Sequence, residues 1–193
     1  MSQNFIVARP GQTAYDEQQR IKGQLSIPLN LTGASEVAQL VRDLSHHDIV
    51  HVACGPCRAA EQTAEAIADD HGLSVTTYPG LSNLDRGLWA GKQLVEIRKT
   101  QPKAYKRWQD QPQTICPPDG ELVTTAVARV LEVLSKLKRR FKSGVVVVVI
   151  PEPLATIVQG ACNDTWPDDL WSIECGSGTW DEIQGELENA AVR

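Results

Sequence analysis

Two periodicities alternate along the chain. Short apolar runs of strand length, "NFIVA" at 4–8, "DIVHVA" at 48–53 and "GVVVVVI" at 144–150, each stop shortly before a glycine or proline. Between them lie stretches with apolar residues every three or four positions. These are Val37, Leu40, Val41 and Leu44 in 30–44, Ala60, Ala64 and Ile67 in 58–70, and Val127, Val130, Leu131, Leu134 and Leu137 in 121–142. The first pattern predicts buried strands and the second predicts helices with one apolar face. Asn30 or Thr32 can cap the helix at 30–44. "LSVTTYP" at 73–79 alternates weakly and reads as an edge or third strand, and 92–110 reads as helical material interrupted at Pro102. Residues 111–120 form a loop by their prolines and glycine, 153–161 begin another helix, and "LWSIEC" at 170–175 is a last strand candidate. The valine run is too short for a bilayer and too β-branched for a helix, so it predicts a strand covered on both faces. Strand and helix alternate throughout. The expected fold is α/β: a three-layer α/β/α sandwich, mostly parallel, as one domain over residues 1–193.

Composition narrows the partners. A net charge of −5 over 193 residues gives no general attraction for nucleic acid or an anionic membrane. The basic run "KLKRRFK" at 136–142 fits the last turn of a helix, where cations favour the dipole. No apolar stretch nears the ~20 residues that span a bilayer, and the opening "MSQNFIVARP" lacks a signal-peptide pattern, so a cytoplasmic protein is expected. Five cysteines, an odd number, argue against a disulfide scaffold. No metal or cofactor is expected; the partner is an unknown protein or a small anion, and a homodimer would be unsurprising. Among five tryptophans, Trp166 and Trp171 flank a proline and two acids and are the better candidates for a contact surface.

"FIVARPGQTAYDEQQRIKGQLSIPLNLTG" at 5–33 resembles the opening of histidine phosphatases, the phosphoglycerate mutase-like superfamily, where a strand leads into Arg-His-Gly-Glu-Thr. "CGPCRAAEQTAEAIA" at 54–68 resembles that family's second loop, and "LSNLDRGLWAGKQLVEIRKTQPKAYKRW" at 81–108 its Leu-x-Glu-x-x-x-Gly-x-Trp-x-Gly region. "PPDGE" at 117–121 and "VVVVVIPEPLATIV" at 145–158 resemble the pre-helix loop and the closing Ser-His-Gly strand, loop and helix. The resemblance implies a phosphoglycerate mutase-like fold over nearly the whole chain.

The chemistry implied by that family departs from these residues. It uses an imidazole nucleophile, a second histidine, two arginines and a carboxylic acid. Here those positions hold Pro10, Pro151, Arg9 with Ala59 in place of the second arginine, and Asn83. A proline nitrogen within a peptide offers neither a lone pair nor a proton. His46, His47, His51 and His71 fall outside the motif loops. The resemblance therefore leads to an expectation of a catalytically inactive binding or regulatory module. Residual phosphate or anion binding would fall to Arg9, Gly11, Arg58 and Arg86, unless Arg9 instead pairs with an acid such as Glu152. Asp16, where the family keeps Asn, adds a negative charge near the pocket.

Two alternatives stay open. One is a thiol–disulfide site at Cys54-Gly55-Pro56-Cys57, between a strand and a helix N-terminus that lowers thiol pKa values. The other is a phosphatase or hydrolase with an unrecognised nucleophile.

Overall fold

A computed structural model of the chain describes residues 4–163 and 169–183. The valine run becomes the central strand of a five-stranded sheet. The strands are β1 (Asn4–Ala8), β2 (Ile49–Cys54), β3 (Val75–Thr77), β4 (Val145–Val149) and β5 (Trp180–Ile183), in the order β3-β2-β4-β1-β5. The pairings are parallel except β1 with β5, and Ile6 and Val52 both register on Val147. The helices are α1 (Ala14–Glu17), α2 (Leu31–Leu44), α3 (Arg58–Asp70), α4 (Leu94–Thr100), α5 (Pro102–Asp110), α6 (Val123–Arg140), α7 (Leu154–Asn163) and α8 (Leu170–Ile173).

Alternation along β1 and β4 divides the core into two layers. Phe5, Val7, Val146 and Val148 pack on the α6 and α7 side, and Ile6, Ala8, Val147 and Val149 on the α2 and α3 side. Both faces of β4 are apolar because both are covered. The architecture is thus mixed α/β around the sheet, as the periodicity predicts. Asn30 is the cap of α2, its side chain accepting from the Gly33 amide at 2.8 Å. Gly33 lets α2 seat against the loop after β1, since a Cβ there would lie 2.1 Å from the Gln12 carbonyl oxygen. No described helix is long and apolar enough to cross a membrane.

The C-terminal segment corrects the sequence pattern. Residues 170–173 of the expected last strand are helix α8, and the edge strand is β5 at Trp180–Ile183. Asp169 caps α8 by accepting from the Trp171 amide at 2.9 Å, a start signal that short apolar runs mask. Trp171 is no surface anchor: it is buried, stacks on Tyr105 at 4.6 Å and donates from Nε1 to the Tyr105 carbonyl. Trp166 lies outside the described residues.

Candidate functional site

β1 and β4 are neighbouring parallel strands ending in register, Ala8 beside Val149, so the loops that follow them open on the same edge of the sheet. There a narrow recess of about 10 Å³ is lined by Pro10, Pro151, Ala59, Asn83, Lys22 and Cys57, among others. That is room for about one water molecule. A second recess of about 70 Å³ is lined by Gln24, Gly55, Pro56, Cys57, Ser82 and Asn83. Cys57 and Asn83 line both. The larger opening therefore lies on the cysteine side, not between the two prolines. No histidine lines either recess. His51, on β2, is buried against Phe141 with ring centroids 4.5 Å apart, and burial lowers its pKa.

The walls are held by hydrogen bonds from three directions. Arg129, on α6, donates to the carbonyls of Gly80 (2.8 Å), Ser82 (2.6 Å) and Asn83 (3.0 Å), clamping the loop that carries Asn83. The Asn83 side chain donates to the Glu152 carbonyl at 3.0 Å and accepts from the Leu84 amide. The first amides of α3 donate to Ser26 Oγ (3.0 Å) and the Ile27 carbonyl (3.1 Å), pinning the 24–29 loop over the helix N-terminus.

The four arginine and glycine positions expected to meet an anion do not converge. Arg9 donates from Nε to Glu152 at 2.8 Å, from Nη1 to Asp181, and from Nη2 to Thr156 (3.2 Å) and Gln159 (2.6 Å). Of its two readings, the pairing with Glu152 is the one the geometry holds. The Gly11 amide donates to Thr63 at 3.2 Å. Arg58 is exposed, 3.7 Å from Glu61. Arg86 is fully buried 3.3 Å from Glu174, with its guanidinium 3.9 Å over the Trp108 ring. None of the four lines either recess. Among the described residues the cation that does is Lys22, buried and ion-paired to the equally buried Asp16. Sequence reasoning passed over it; the signal was a lysine set two residues after Arg20 in "RIKG".

The two motif cysteines are free thiols with different settings. Cys54 is buried at the end of β2, 3.6 Å from the Thr77 hydroxyl, and burial pushes its thiol up to about 11. Cys57 is the half-buried N-cap residue of α3. Burial raises its thiol too, and the Ala60 amide and the Lys22 charge pull it back. The expected lowering by the helix N-terminus is outweighed by desolvation in both. A thiol–disulfide site needs its first sulfur accessible as thiolate, and Cys54 is neither. Among the described residues no group of three or more His, Cys, Asp or Glu could hold a metal ion.

Comparison with known proteins places this geometry. A family model described as the histidine phosphatase superfamily (branch 1) matches residues 5–192. Phosphoserine phosphatase 1 of Hydrogenobacter thermophilus is 23% identical over 94% of this chain and 86% of its own. A solved mycobacterial glucosyl-3-phosphoglycerate phosphatase superposes with a TM-score of 0.80 at 22% identity, covering 93% of this chain and 88% of its own. A solved mutant phosphoserine phosphatase from Entamoeba histolytica, in complex with phosphoserine, gives 0.78 at 20% identity over 93% and 89%. These findings correct the expectation of an inactive module. The chain aligns almost end to end with proteins named for phosphatase activity, which favours the alternative of a hydrolase with another nucleophile.

Proposed function

Since the chain belongs to the histidine phosphatase superfamily, we propose that it hydrolyses phosphate esters, with the Cys57 thiolate attacking where the family uses imidazole. Pro10 and Pro151 stand at the family's two histidine positions and Asn83 at its acid. The observation that carries the reading is that Cys57 lines both recesses, and shares the smaller one with Lys22. Other hydroxyls there are committed: Thr13 donates to Asp16 at 2.7 Å and Ser82 to the Pro79 carbonyl at 2.7 Å. The relatives named as phosphatases support the class of substrate, as does the Entamoeba histolytica phosphoserine phosphatase mutant, which was solved in complex with phosphoserine.

The chemistry divides into two displacements. The Cys57 sulfur bonds to phosphorus as the bond from phosphorus to the leaving oxygen breaks. Asn83 has no acidic proton, so the leaving oxygen departs as an anion and takes its proton from water. A water molecule then attacks phosphorus, the phosphorus–sulfur bond breaks, and the thiolate is restored as a proton passes to solvent. The Ala60 amide, in the first turn of α3, meets the Cys57 thiol and favours its thiolate. With no acid to assist, esters of acidic alcohols such as phenols are the competent substrates.

Turnover of aryl phosphate mono- and diesters between pH 6 and 10 tests this reading. Burial holds the Cys57 thiol above its ordinary range, so the thiolate is the minor form at neutral pH. Below the thiol pKa, kcat/KM is expected to climb about tenfold per pH unit. Rapid quenching should leave a phosphoryl group on the peptide carrying Cys57. Absence of turnover of every ester, or a rate indifferent to pH across this range, would count decisively against it.

A further inference from the structure

Two opposite charges are fixed in place near the Cys57 thiol. Asp16, on α1, accepts at Oδ2 from the Thr13 amide (2.8 Å) and the Thr13 hydroxyl (2.7 Å), which leaves Oδ1 for the Lys22 ammonium. Lys22 sits on a stretch of chain tied down on both sides. Ile21 donates to the Lys92 carbonyl (2.9 Å) and accepts from the Gly91 amide (2.8 Å), and the Lys22 carbonyl accepts from the Leu25 amide (3.1 Å). Both side chains of the pair are buried. Among the described residues lining the smaller recess, Lys22 carries the one charge and Cys57 the one thiol. With room there for about one water, little solvent stands between them to screen that charge.

Burial raises the Cys57 thiol; the Ala60 amide and the Lys22 charge act against it, and Glu61 and Asp16 add to it. Glu61 lies in the first turn of α3, 3.7 Å from the exposed Arg58. Cys54, at the end of β2, also faces Cys57, and its own thiol, held near 11, is uncharged at neutral pH. Lys22 faces one further carboxylate, Glu174, which is buried and paired with Arg86. The cation that favours the thiolate is therefore Lys22, and the group set against that cation is Asp16.

We infer that Lys22 is a positioning residue for the nucleophile, its ammonium favouring the Cys57 thiolate, and that Asp16 moderates this by sharing the lysine charge. The inference rests on the hydrolase reading above and deepens it, since it concerns how that thiol is made ready. Without Lys22 the thiol faces an uncompensated carboxylate, which opposes ionisation. Without the Asp16 charge the ammonium acts on the thiol undivided, which promotes it.

The pH profile of Cys57 alkylation by iodoacetamide, read by mass on the peptide that carries it, gives the thiol titration without any turnover. Its midpoint is expected to rise by about one pH unit in Lys22→Met and to fall by about half a unit in Asp16→Asn. Lys22→Arg, which keeps the charge, should restore the wild-type midpoint. Midpoints that stay put in the two charge variants, that move in the same direction, or that are equal in Lys22→Met and Lys22→Arg would overturn the proposal. Should a charge variant not fold, the wild-type protein labelled with ¹⁵N-lysine decides. There the Lys22 Nζ resonance is expected to shift at the pH where Cys57 ionises, and to lose that shift in Cys57→Ala. No shift at that pH, or one that persists in Cys57→Ala, would overturn it equally. Absence of ester turnover alongside the expected midpoints would sink the hydrolase reading and leave the tuning of the thiol standing.

Discussion

Glu174→Ala is expected to destabilise the fold by about 3–5 kcal/mol, the usual cost of stranding one partner of a buried ion pair. Arg86 and Glu174 are both inaccessible to solvent, 3.3 Å apart. The guanidinium sits among the rings of Trp108 (3.9 Å), Trp171 (5.3 Å) and Trp89 (5.4 Å). Its three nitrogens find no hydrogen-bond acceptor among the described side chains. Glu174 is therefore the countercharge, and the cation–π contacts are too weak to replace it. Burial pulls the Arg86 pKa down and pushes that of Glu174 up, each restrained by the other. An arginine does not escape by losing its proton, so removing the carboxylate leaves a bare cation in an aromatic cage. The double variant Arg86→Met, Glu174→Leu should regain most of the loss, because apolar groups of similar size need no compensation. Urea unfolding followed by tryptophan fluorescence reads both, since three of the five tryptophans form the cage. A single variant within about 1 kcal/mol of wild type would show that the pair does not carry this weight.

The second large effect is kinetic. Cys57→Ala is expected to lower kcat for an aryl phosphate ester by about 10³-fold or more, since losing a nucleophile elsewhere has cost up to about 10⁶. Cys57→Ser should do little better, because a hydroxyl at the same site is ionised far less than a thiol. The control is Cys54→Ala. That thiol is buried at the strand end with its pKa held near 11 and lines neither recess. Its loss should leave kcat within a few-fold of wild type. Equal losses in the two alanine variants would point to a chemistry that needs both sulfurs. A Cys57→Ala enzyme of normal rate would place the nucleophile elsewhere.

The fold was largely legible because its signals are local. The valine run, the 3.6-residue stripes of α2, α3 and α6 and the Asn30 cap follow from the side chains of each segment alone. The last strand was misplaced because "LWSIEC" is apolar enough for either state. The choice fell to the Asp169 cap and to Trp171 packing against Tyr105, a residue 66 positions away. β5 pairs antiparallel with β1, and "WDEI" carries little of its own preference because one face of an edge strand meets solvent.

The candidate site divides along the same line. By itself the sequence determined that no imidazole stands after β1 or β4, since proline at 10 and 151 is a matter of covalent structure. It also determined which loops would meet, through the order of strands and helices. Tertiary structure decided which charges are free. Arg9 and Arg86 read from sequence as anion ligands, yet each met a carboxylate more than 80 residues away and was neutralised. Tertiary structure also separated two cysteines that a motif treats as equals, burying Cys54 and leaving Cys57 at the cleft. Charge pairing and burial depend on neighbours distant in the chain, and a sequence pattern holds no record of them until the chain has folded.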